Sequence, residues 1–354
     1  MTTTYRVTVE PLGREIECRD DQPILDACLR AGVWLPHACT HGTCGTCKTQ
    51  VTDGEVDHGD SSAFALMDFE REEGAALVCT ATPRSDLVIE ADIEPEDGVV
   101  YHPVRDFTAT VASVDDIARD VRRVVLALDD DIAFNPGQYV QVQVPGAPSG
   151  TTRSYSIATP PSSTRRIELQ IRRTPGGLAT DGWVFKSLAA GDSVSLAGPF
   201  GRFFYREAIT KPALLLAGGT GLSPIDSMIR HVLAGDLDRR LILYQGARAK
   251  ADLYDVERFR ALEAEHPDRF TYRPCVSEGD WDGAAAGHAP DVLARDMASF
   301  AGHVAYVCGP PVMVDAAMKT LMKGRLFPRD IYREDFFDSS DKAGGGIRSP
   351  LLKR

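Results

Sequence analysis

Cys39-Thr40-His41-Gly42-Thr43-Cys44-Gly45-Thr46-Cys47 puts three thiols in the spacing C-x4-C-x2-C, and Cys79 supplies a fourth much later in the chain. A loop that aims three sulfurs at one point must bend its backbone tightly. Gly42 and Gly45 tolerate positive φ, and the small side chains of Thr40, Thr43 and Thr46 leave room for the bend. Four thiolates form a soft donor set suited to iron or zinc.

The spacing is that of a plant-type 2Fe-2S ferredoxin, in which four cysteines hold two irons. Other readings fit less well. A Rieske centre needs two histidine ligands, but Cys39-Thr40-His41 is followed closely by Cys44-x-x-Cys47 and not by Cys-x-x-His. Structural zinc sites pair their cysteines as C-x2-C twice over. A disulfide framework belongs to short secreted chains, whereas 8 cysteines are spread here over 354 residues. Cys39, Cys44, Cys47 and Cys79 are the expected metal ligands. The rest of the chain should then feed electrons to the cluster or take them from it.

A chain of 354 residues implies two or three domains. Residues 1–100 carry 20 acidic against 7 basic side chains, net −13, while residues 101–354 carry 31 against 32, net +1. The whole excess sits with the cysteine loop. It either solubilises that domain or docks a basic electron-transfer partner. No basic run with interleaved aromatics appears, so nucleic acid is not an expected partner. Met1–Val7 has no apolar leader, and no run of about 18 apolar residues occurs, so neither export nor membrane insertion is expected. The reading is a cytoplasmic protein, monomeric when free.

The pattern of hydrophobicity places the elements. Tyr5–Glu10 and Glu15–Cys18 alternate as a hairpin, and a helix follows from Pro23 to about Ala31, ended by Gly32. Cys18 and Cys28 fall on those faces, outside the ligand spacing. Residues 48–51 and 87–90 read as strands, and 62–72 as a helix. The acidic Glu94-Pro95-Glu96-Asp97-Gly98 reads as a linker. Residues 103–206 hold six candidate strands, at 107–114, 121–128, 138–144, 153–159, 166–173 and 193–197, which suggests a small antiparallel barrel with one helix over about Thr180–Ser187. From Ala213-Leu214-Leu215-Leu216-Ala217 onward, apolar strands alternate with helices at about 225–233 and 252–265, as in a doubly wound sheet. The expected fold is therefore α/β multidomain: a β-grasp ferredoxin (1–95), an antiparallel β-barrel (103–206), a doubly wound α/β nucleotide domain (210–337) and a flexible tail (338–354).

Three further motifs carry chemistry. Gly218-Gly219-Thr220-Gly221-Leu222-Ser223-Pro224 follows a strand and opens a helix, offering N–H groups to a phosphate; Pro224 stands where a Rossmann turn has its third glycine. Cys308-Gly309-Pro310-Pro311 ends a strand, where open α/β sheets bind ligands. Arg153-Ser154-Tyr155-Ser156 could hold a diphosphate through Arg153, cover an aromatic ring with Tyr155 and bond a ring nitrogen through Ser156. Gly176-Gly177-Leu178-Ala179-Thr180 could add backbone donors for the same diphosphate.

These motifs, in this order, resemble the ferredoxin–NADP reductase superfamily. With the cysteine loop in front, nearly the whole chain resembles the reductase component of bacterial multicomponent oxygenases. Phe64-Ala65-Leu66-Met67-Asp68 and the ending Arg325-Leu326-Phe327 with Asp330-Ile331 are most similar to phenol hydroxylase reductases, which serve soluble di-iron monooxygenases. The resemblance implies a route from NADH to FAD to the 2Fe-2S cluster and on to an oxygenase partner. It implies flavin contacts from Arg153, Tyr155, Ser156, Gly176, Gly177 and Thr180. Nucleotide contacts are implied for Gly219, Thr220, Gly221 and Gly309. Cys308 is implied near the nicotinamide, and Glu334 and Phe336 match a C-terminal Glu-x-Phe whose ring lies over the flavin, with Phe337 the neighbouring option. Ser156, Cys308, Glu334 and Phe336 are thus the catalytic candidates. FMN is the lesser flavin, since the cluster comes first in the chain. Asp252 beside Arg248 and Lys250 favours NADH over NADPH. A Rieske-type ring-dioxygenase system is the alternative partner.

Overall fold

The computed structural model describes residues 2–37, 40, 42–93, 96–148, 150–235, 237–279 and 281–336. Cys39, Phe337, the 338–354 tail and, within the expected linker, Glu94 and Pro95 lie outside the described residues. The chain divides into two compact units, Met1–Arg105 and Asp106–Arg354.

Among the described residues, the first unit contains β1 (Thr4–Glu10), β2 (Arg14–Arg19), α1 (Ile24–Arg30), β3 (Lys48–Asp53), β4 (Val56–Asp57), α2 (Asp68–Glu72), β5 (Ala75–Leu77), β6 (Thr82–Pro83) and β7 (Leu87–Glu90). The sheet order is β2-β1-β7-β3-β5, with β1 and β7 parallel. This is a β-grasp sheet, with α1 burying Ile24, Leu25, Cys28 and Leu29. Asp26 and Arg30 pair one turn apart at 3.0 Å. Gly32 leaves the helix with φ +72°, a value that favours glycine. Cys18 and Cys28 are both buried core thiols.

The helix expected over 62–72 is shorter. It starts only at Asp68, with Glu70 reaching back to the Met67 N–H at 2.8 Å. Upstream, the Ser62 N–H is bonded to the Gly42 carbonyl at 2.9 Å, and the Ala65 and Leu66 N–H groups both turn back to the Ser62 carbonyl. Packing against the cysteine loop holds those residues out of the helix.

The second unit begins with β8 (Arg105–Ala118), β9 (Val121–Leu128), β10 (Tyr139–Gln143), β11 (Thr152–Ser156), β12 (Arg166–Arg172) and β13 (Ser193–Phe200). They form an antiparallel sheet in the order β11-β10-β13-β8-β9-β12. The two ends of that order meet: Ile157 bridges Leu169, and the Ala158 N–H donates to the Glu168 carbonyl at 2.8 Å. The sheet therefore closes into a barrel filled by residues such as Val111, Leu126, Val140 and Leu169. The helix expected over Thr180–Ser187 is a single wide turn, Thr180–Val184, with π-type bonds from Val184 to Ala179 and from Phe185 to Thr180.

Beyond the barrel come β14 (Ala213–Gly218), α3 (Leu222–Ala234), β15 (Leu241–Ala247), α4 (Val256–Glu265), β16 (Phe270–Val276), β17 (Ala285–Ala286), α5 (Ala289–Asp296), β18 (Val304–Gly309), α6 (Pro311–Lys323) and β19 (Ile331–Asp335). The sheet order is β17-β16-β15-β14-β18-β19 and every pairing is parallel. Strand periodicity explains the apolar run in β14. Ala213, Leu215 and Ala217 enter the core shared with α3, and Leu214 and Leu216 enter the core shared with α5 and α6. The winding reverses between β14 and β18, which opens a crevice at their carboxyl ends. No described helix is long and apolar enough to cross a membrane.

Candidate functional site

In the first unit, the cysteine loop takes the bent backbone its glycines permit. Gly42 has φ +76° and Gly45 φ +71°, and Thr40 joins them at +60°. Cys47 and Cys79 are buried and Cys44 is half-buried. The Val78 N–H donates to the Cys47 carbonyl at 3.3 Å, which ties the strand leading to Cys79 onto the loop. Thr46 Oγ1 lies 3.3 Å from Cys44 Sγ, within reach to donate to a thiolate. A side chain at Gly42 would collide at 3.0 Å with the Asp60 carbonyl, so this packing needs glycine. Two sulfurs on the loop, Cys44 and Cys47, and a third at Cys79, buried or half-buried, fit a 2Fe-2S cluster, with Cys39 outside the described residues.

In the second unit, the crevice can be walked residue by residue. Ser156, buried at the end of β11, pairs with Tyr139 on β10. The Tyr139 ring lies 2.8 Å from where a Cβ on Gly201 would stand, and Glu334 Oε1 lies 4.0 Å from the same point. Glu334 on β19 is in register with Cys308 on β18. A Cβ on Gly221 would fall 2.3 Å from the Cys308 carbonyl oxygen. The barrel motif and the glycine turn thus lie side by side. The Phe336 N–H donates to the Gly309 carbonyl at 2.9 Å, which brings Phe336 to its edge.

Tyr155 packs against the barrel core, but its hydroxyl is out of solvent and bonds nothing. Burial pushes that phenol up to about 12. An unpartnered buried hydroxyl is costly, so Tyr155 fits a ligand with polar atoms at this point. Arg153 is exposed, with its Nη1 on the Thr152 carbonyl at 2.7 Å. The turn at Gly176 differs from expectation in its donors. The Gly176 N–H is bonded to Asp181 Oδ2 and the Gly177 N–H to the Thr174 carbonyl. The Thr180 hydroxyl is engaged with the Thr174 backbone on both sides, at 3.0 and 3.1 Å. These bonds leave the N–H groups of Leu178, Ala179 and Thr180 out of the turn's own hydrogen bonding among the described residues.

On the nucleotide side, Gly218 leads into the short turn Gly219–Gly221 and then α3. Gly219 has φ +54°, and Arg172 Nη1 lies 4.0 Å from where its Cβ would stand. Gly309 approaches Gly218 so closely that an added Cβ would sit 2.9 Å from its carbonyl oxygen. Such a turn at a helix N-terminus, beside a cation, fits a dinucleotide diphosphate.

The comparisons agree with this layout. Residues 7–84 match the family model of the 2Fe-2S iron-sulfur cluster binding domain, 108–205 the oxidoreductase FAD-binding domain and 215–319 the oxidoreductase NAD-binding domain. The reductase component DmpP of phenol 2-monooxygenase from Pseudomonas sp. (strain CF600) is 46% identical over 99% of both chains. The reductase subunit of an aromatic O-demethylase from Amycolatopsis sp. is 44% identical, covering 95% of this chain and 100% of that one. The crystal structure of Amycolatopsis cytochrome P450 reductase GcoB superposes with a TM-score of 0.86 at 44% identity, over 94% of this chain and 99% of that one.

The chain belongs to the reductase components of multicomponent oxygenases. It is an NAD(P)H-dependent oxidoreductase with 2Fe-2S, flavin and nicotinamide-nucleotide domains.

The electrostatics of the crevice follow from burial. Burial, with Glu334 and Asp335 adjacent, pushes the Cys308 thiol well above its ordinary value. Burial, and Asp335 after it, pushes the Glu334 carboxyl up to about 8. Glu334 is half-buried as a residue, yet its Oε2 is out of solvent and unbonded.

Sequence reasoning missed an ionic layer between barrel and α3. Glu168, Asp226 and Asp255 bring carboxylate oxygens within 4.8 Å of one another. Three guanidiniums fill that space. Arg258 grips both Asp226 oxygens at 2.9 and 2.7 Å, Arg123 joins Asp255 to Glu168, and Arg230 reaches Glu168 and Asp226. Arginine only donates, so Asp226 accepts at both oxygens as a carboxylate despite the burial that pushes it up. For Asp255 burial pulls upward too, but Arg258 and Arg123 outweigh it and hold the carboxyl below its ordinary range. With the guanidiniums in place, the cluster is an ion-pair network and not a metal site.

Proposed function

We propose that this protein takes electrons from NADH and passes them, through FAD and the 2Fe-2S cluster held by Cys39, Cys44, Cys47 and Cys79, to the oxygenase component of a phenol-type monooxygenase. The observation that carries the reading is the run of close approaches from Ser156 through Tyr139 and Glu334 to Cys308 and Gly221, which sets the barrel motif beside the glycine turn. It gives one ligand pair adjoining sites. When bound, the flavin supplies the conversion between two-electron nicotinamide chemistry and the single-electron chemistry of an iron-sulfur cluster.

The side chains have separable tasks. Arg153 and the N–H groups of Leu178–Thr180 hold the flavin diphosphate. Tyr155 and Ser156 hold its ring. The turn at Gly219–Gly221 holds the nucleotide diphosphate. Cys308 is a neutral, buried thiol that shapes the nicotinamide pocket and does not act as a nucleophile. Phe336 shields the crevice. Asp252 caps its own turn on the Ala249 N–H and pairs with Arg119 at 3.0 Å, while Lys250 lies over the Trp281 ring at 5.1 Å. These engagements favour NADH, since a 2′-phosphate would compete with Asp252 and need Lys250 released.

The partner docks on the acidic first unit beside the cysteine loop. There Phe64 stands 96% exposed, with Met67 and Phe69 about half exposed, on the segment bonded to Gly42. An apolar knob in an acidic rim suits a socket ringed by lysine and arginine. A phenol-type partner is favoured by 46% identity, against 34% for the naphthalene dioxygenase reductase from Pseudomonas putida. A cytochrome P450 partner is a second reading, favoured by the P450 reductase at 44%.

Anaerobic titration of the purified protein with NADH tests the core of the proposal. NADH should bleach the flavin and then the cluster. In Cys47→Ser the flavin should still bleach while delivery to the oxygenase stops. A flavin that stays oxidised under NADH sinks the reductase reading, and undiminished delivery by Cys47→Ser sinks the cluster assignment.

A further inference from the structure

We propose that Tyr254 and Gln170 are positioning residues that clamp the nucleotide turn at Gly219 to the flavin barrel, and so set how the two cofactors meet. The inference rests on reading residues 106–336 as a flavin reductase.

Hydride transfer depends on sub-ångström placement of donor and acceptor. Here the two ligands are held by different sheets. The nucleotide turn follows β14, and the flavin motif lies on the barrel. Something must fix one to the other, and one hydroxyl touches both. Tyr254 Oη lies 3.1 Å from the Gly219 carbonyl and 2.9 Å from Gln170 Oε1 on β12. Tyr254 and Gln170 are 3% and 4% exposed, so water does not compete for these bonds.

The orientation of Gln170 follows from its neighbours. Its Nε2 faces Glu168 Oε1 at 3.3 Å, and only a nitrogen can donate to that carboxylate. Its Oε1 therefore faces the two hydroxyls, Tyr254 and Ser223, the latter donating at 3.0 Å. Ser223 belongs to the first turn of α3, directly after the glycine turn. A phenol has one proton, so Tyr254 shares it between turn and barrel. Ser223 keeps the Gln170 carbonyl satisfied whenever Tyr254 donates to Gly219. The backbone of Tyr254 is anchored in its turn, since the Gln245 amide donates to its carbonyl at 3.1 Å and the Tyr272 hydroxyl donates to Gln245. The clamp closes on the residue whose positive φ gives the turn its shape.

The test uses full-length protein and its Tyr254→Phe and Gln170→Met variants. Each removes the polar contact and keeps the bulk. Amide hydrogen exchange of residues 218–223, without nucleotide, should quicken about tenfold in Tyr254→Phe, the size expected for one buried hydrogen bond, while β9 exchanges as before. In stopped flow with saturating NADH, the limiting rate of flavin reduction should fall about tenfold, with a smaller change in KM. Because the residues act as a unit, the double variant should be no slower than the slower single variant. Unchanged exchange at 218–223, or rate losses that multiply in the double variant, overturns the clamp. If NADH fails to reduce the flavin of the unaltered protein, the reductase reading falls, and the exchange comparison still judges the clamp.

Discussion

Cys308 and Glu334 lie in register on adjacent parallel strands, and burial pushes both groups toward their neutral forms. A protonated Glu334 can donate into the crevice, which a carboxylate cannot. The folded value near 8 lies above the ordinary 4.5, so the folded state holds this proton more tightly than the unfolded chain. The stabilisation is complete below about 4.5 and is lost as pH rises through 8. Glu334→Gln keeps the shape and removes the titration. Thermal melts of both proteins from pH 5 to 9 should show the unaltered protein losing stability with pH more steeply than Glu334→Gln. Parallel pH profiles would show that Glu334 titrates normally.

Gly221 makes a steric prediction free of backbone strain. Its φ of −62° suits any residue, so glycine is required by the neighbouring chain alone. An alanine Cβ would meet the Cys308 carbonyl oxygen at 2.3 Å, its carbon at 2.4 Å and the Gly309 nitrogen at 2.6 Å. All three are backbone atoms that no rotamer can move aside. Gly221→Ala should cost about 1–3 kcal/mol, as overpacking of a tight interior does, and should weaken NADH binding with the flavin retained. Calorimetry and NADH titration read the two effects. Unaltered melting and binding would mean the crevice is looser than drawn.

Much of the architecture was readable because its signals are local. Cys39, Cys44 and Cys47 fall in the spacing C-x4-C-x2-C within nine residues. Ala213–Ala217 announces a strand buried on both faces, and Arg153–Ser156 fits on one strand. The failures are also physical. Residues 62–67 carry a helical pattern, but their bonds to Gly42 and Ser62 hold them in turns. The Thr180 hydroxyl closes its own turn on Thr174, a bond that its place in the motif does not announce. Tyr254 and Gln170 are 84 positions apart, and Arg123 and Asp255 are 132 apart. No window of sequence contains either contact. Asp255 adds a conformation invisible in sequence, with φ +59° at the start of α4.

The ionic layer should matter far more than surface pairs of the same chemistry. Asp226 is fully buried, and Arg258 holds both its oxygens. Arg258→Met would leave that buried carboxylate with Arg230 alone, at 3.8 Å, and breaking a buried pair from one side costs about 3–5 kcal/mol. Arg6 and Asp86 also form a direct ion pair, at 3.2 Å, but both side chains are 60% exposed. Arg6→Met should leave the melt almost where it was, since exposed pairs contribute little. Denaturant melts of the two variants decide the point, and equal losses would refute the buried-layer account.

Phe64 offers the sharpest separation between electron entry and electron exit. It is 96% exposed, so truncating it removes almost no packing from the folded protein. If Phe64 seats in an oxygenase socket, burying it there is worth about 1.5–3 kcal/mol, or roughly tenfold or more in affinity. Phe64→Ala should melt like the unaltered protein and accept electrons from NADH at the same rate. Reduction of the oxygenase should slow about tenfold at subsaturating partner. Salt should act separately, because the unit around the loop carries a net charge of −13 over residues 1–100. Raising ionic strength from about 0.05 to 0.5 M shortens electrostatic reach several-fold, so the association rate should fall in both proteins alike. A Phe64→Ala protein that reduces its oxygenase at full speed would move the exit face elsewhere on the first unit, and a salt-independent rate would remove charge from the docking step.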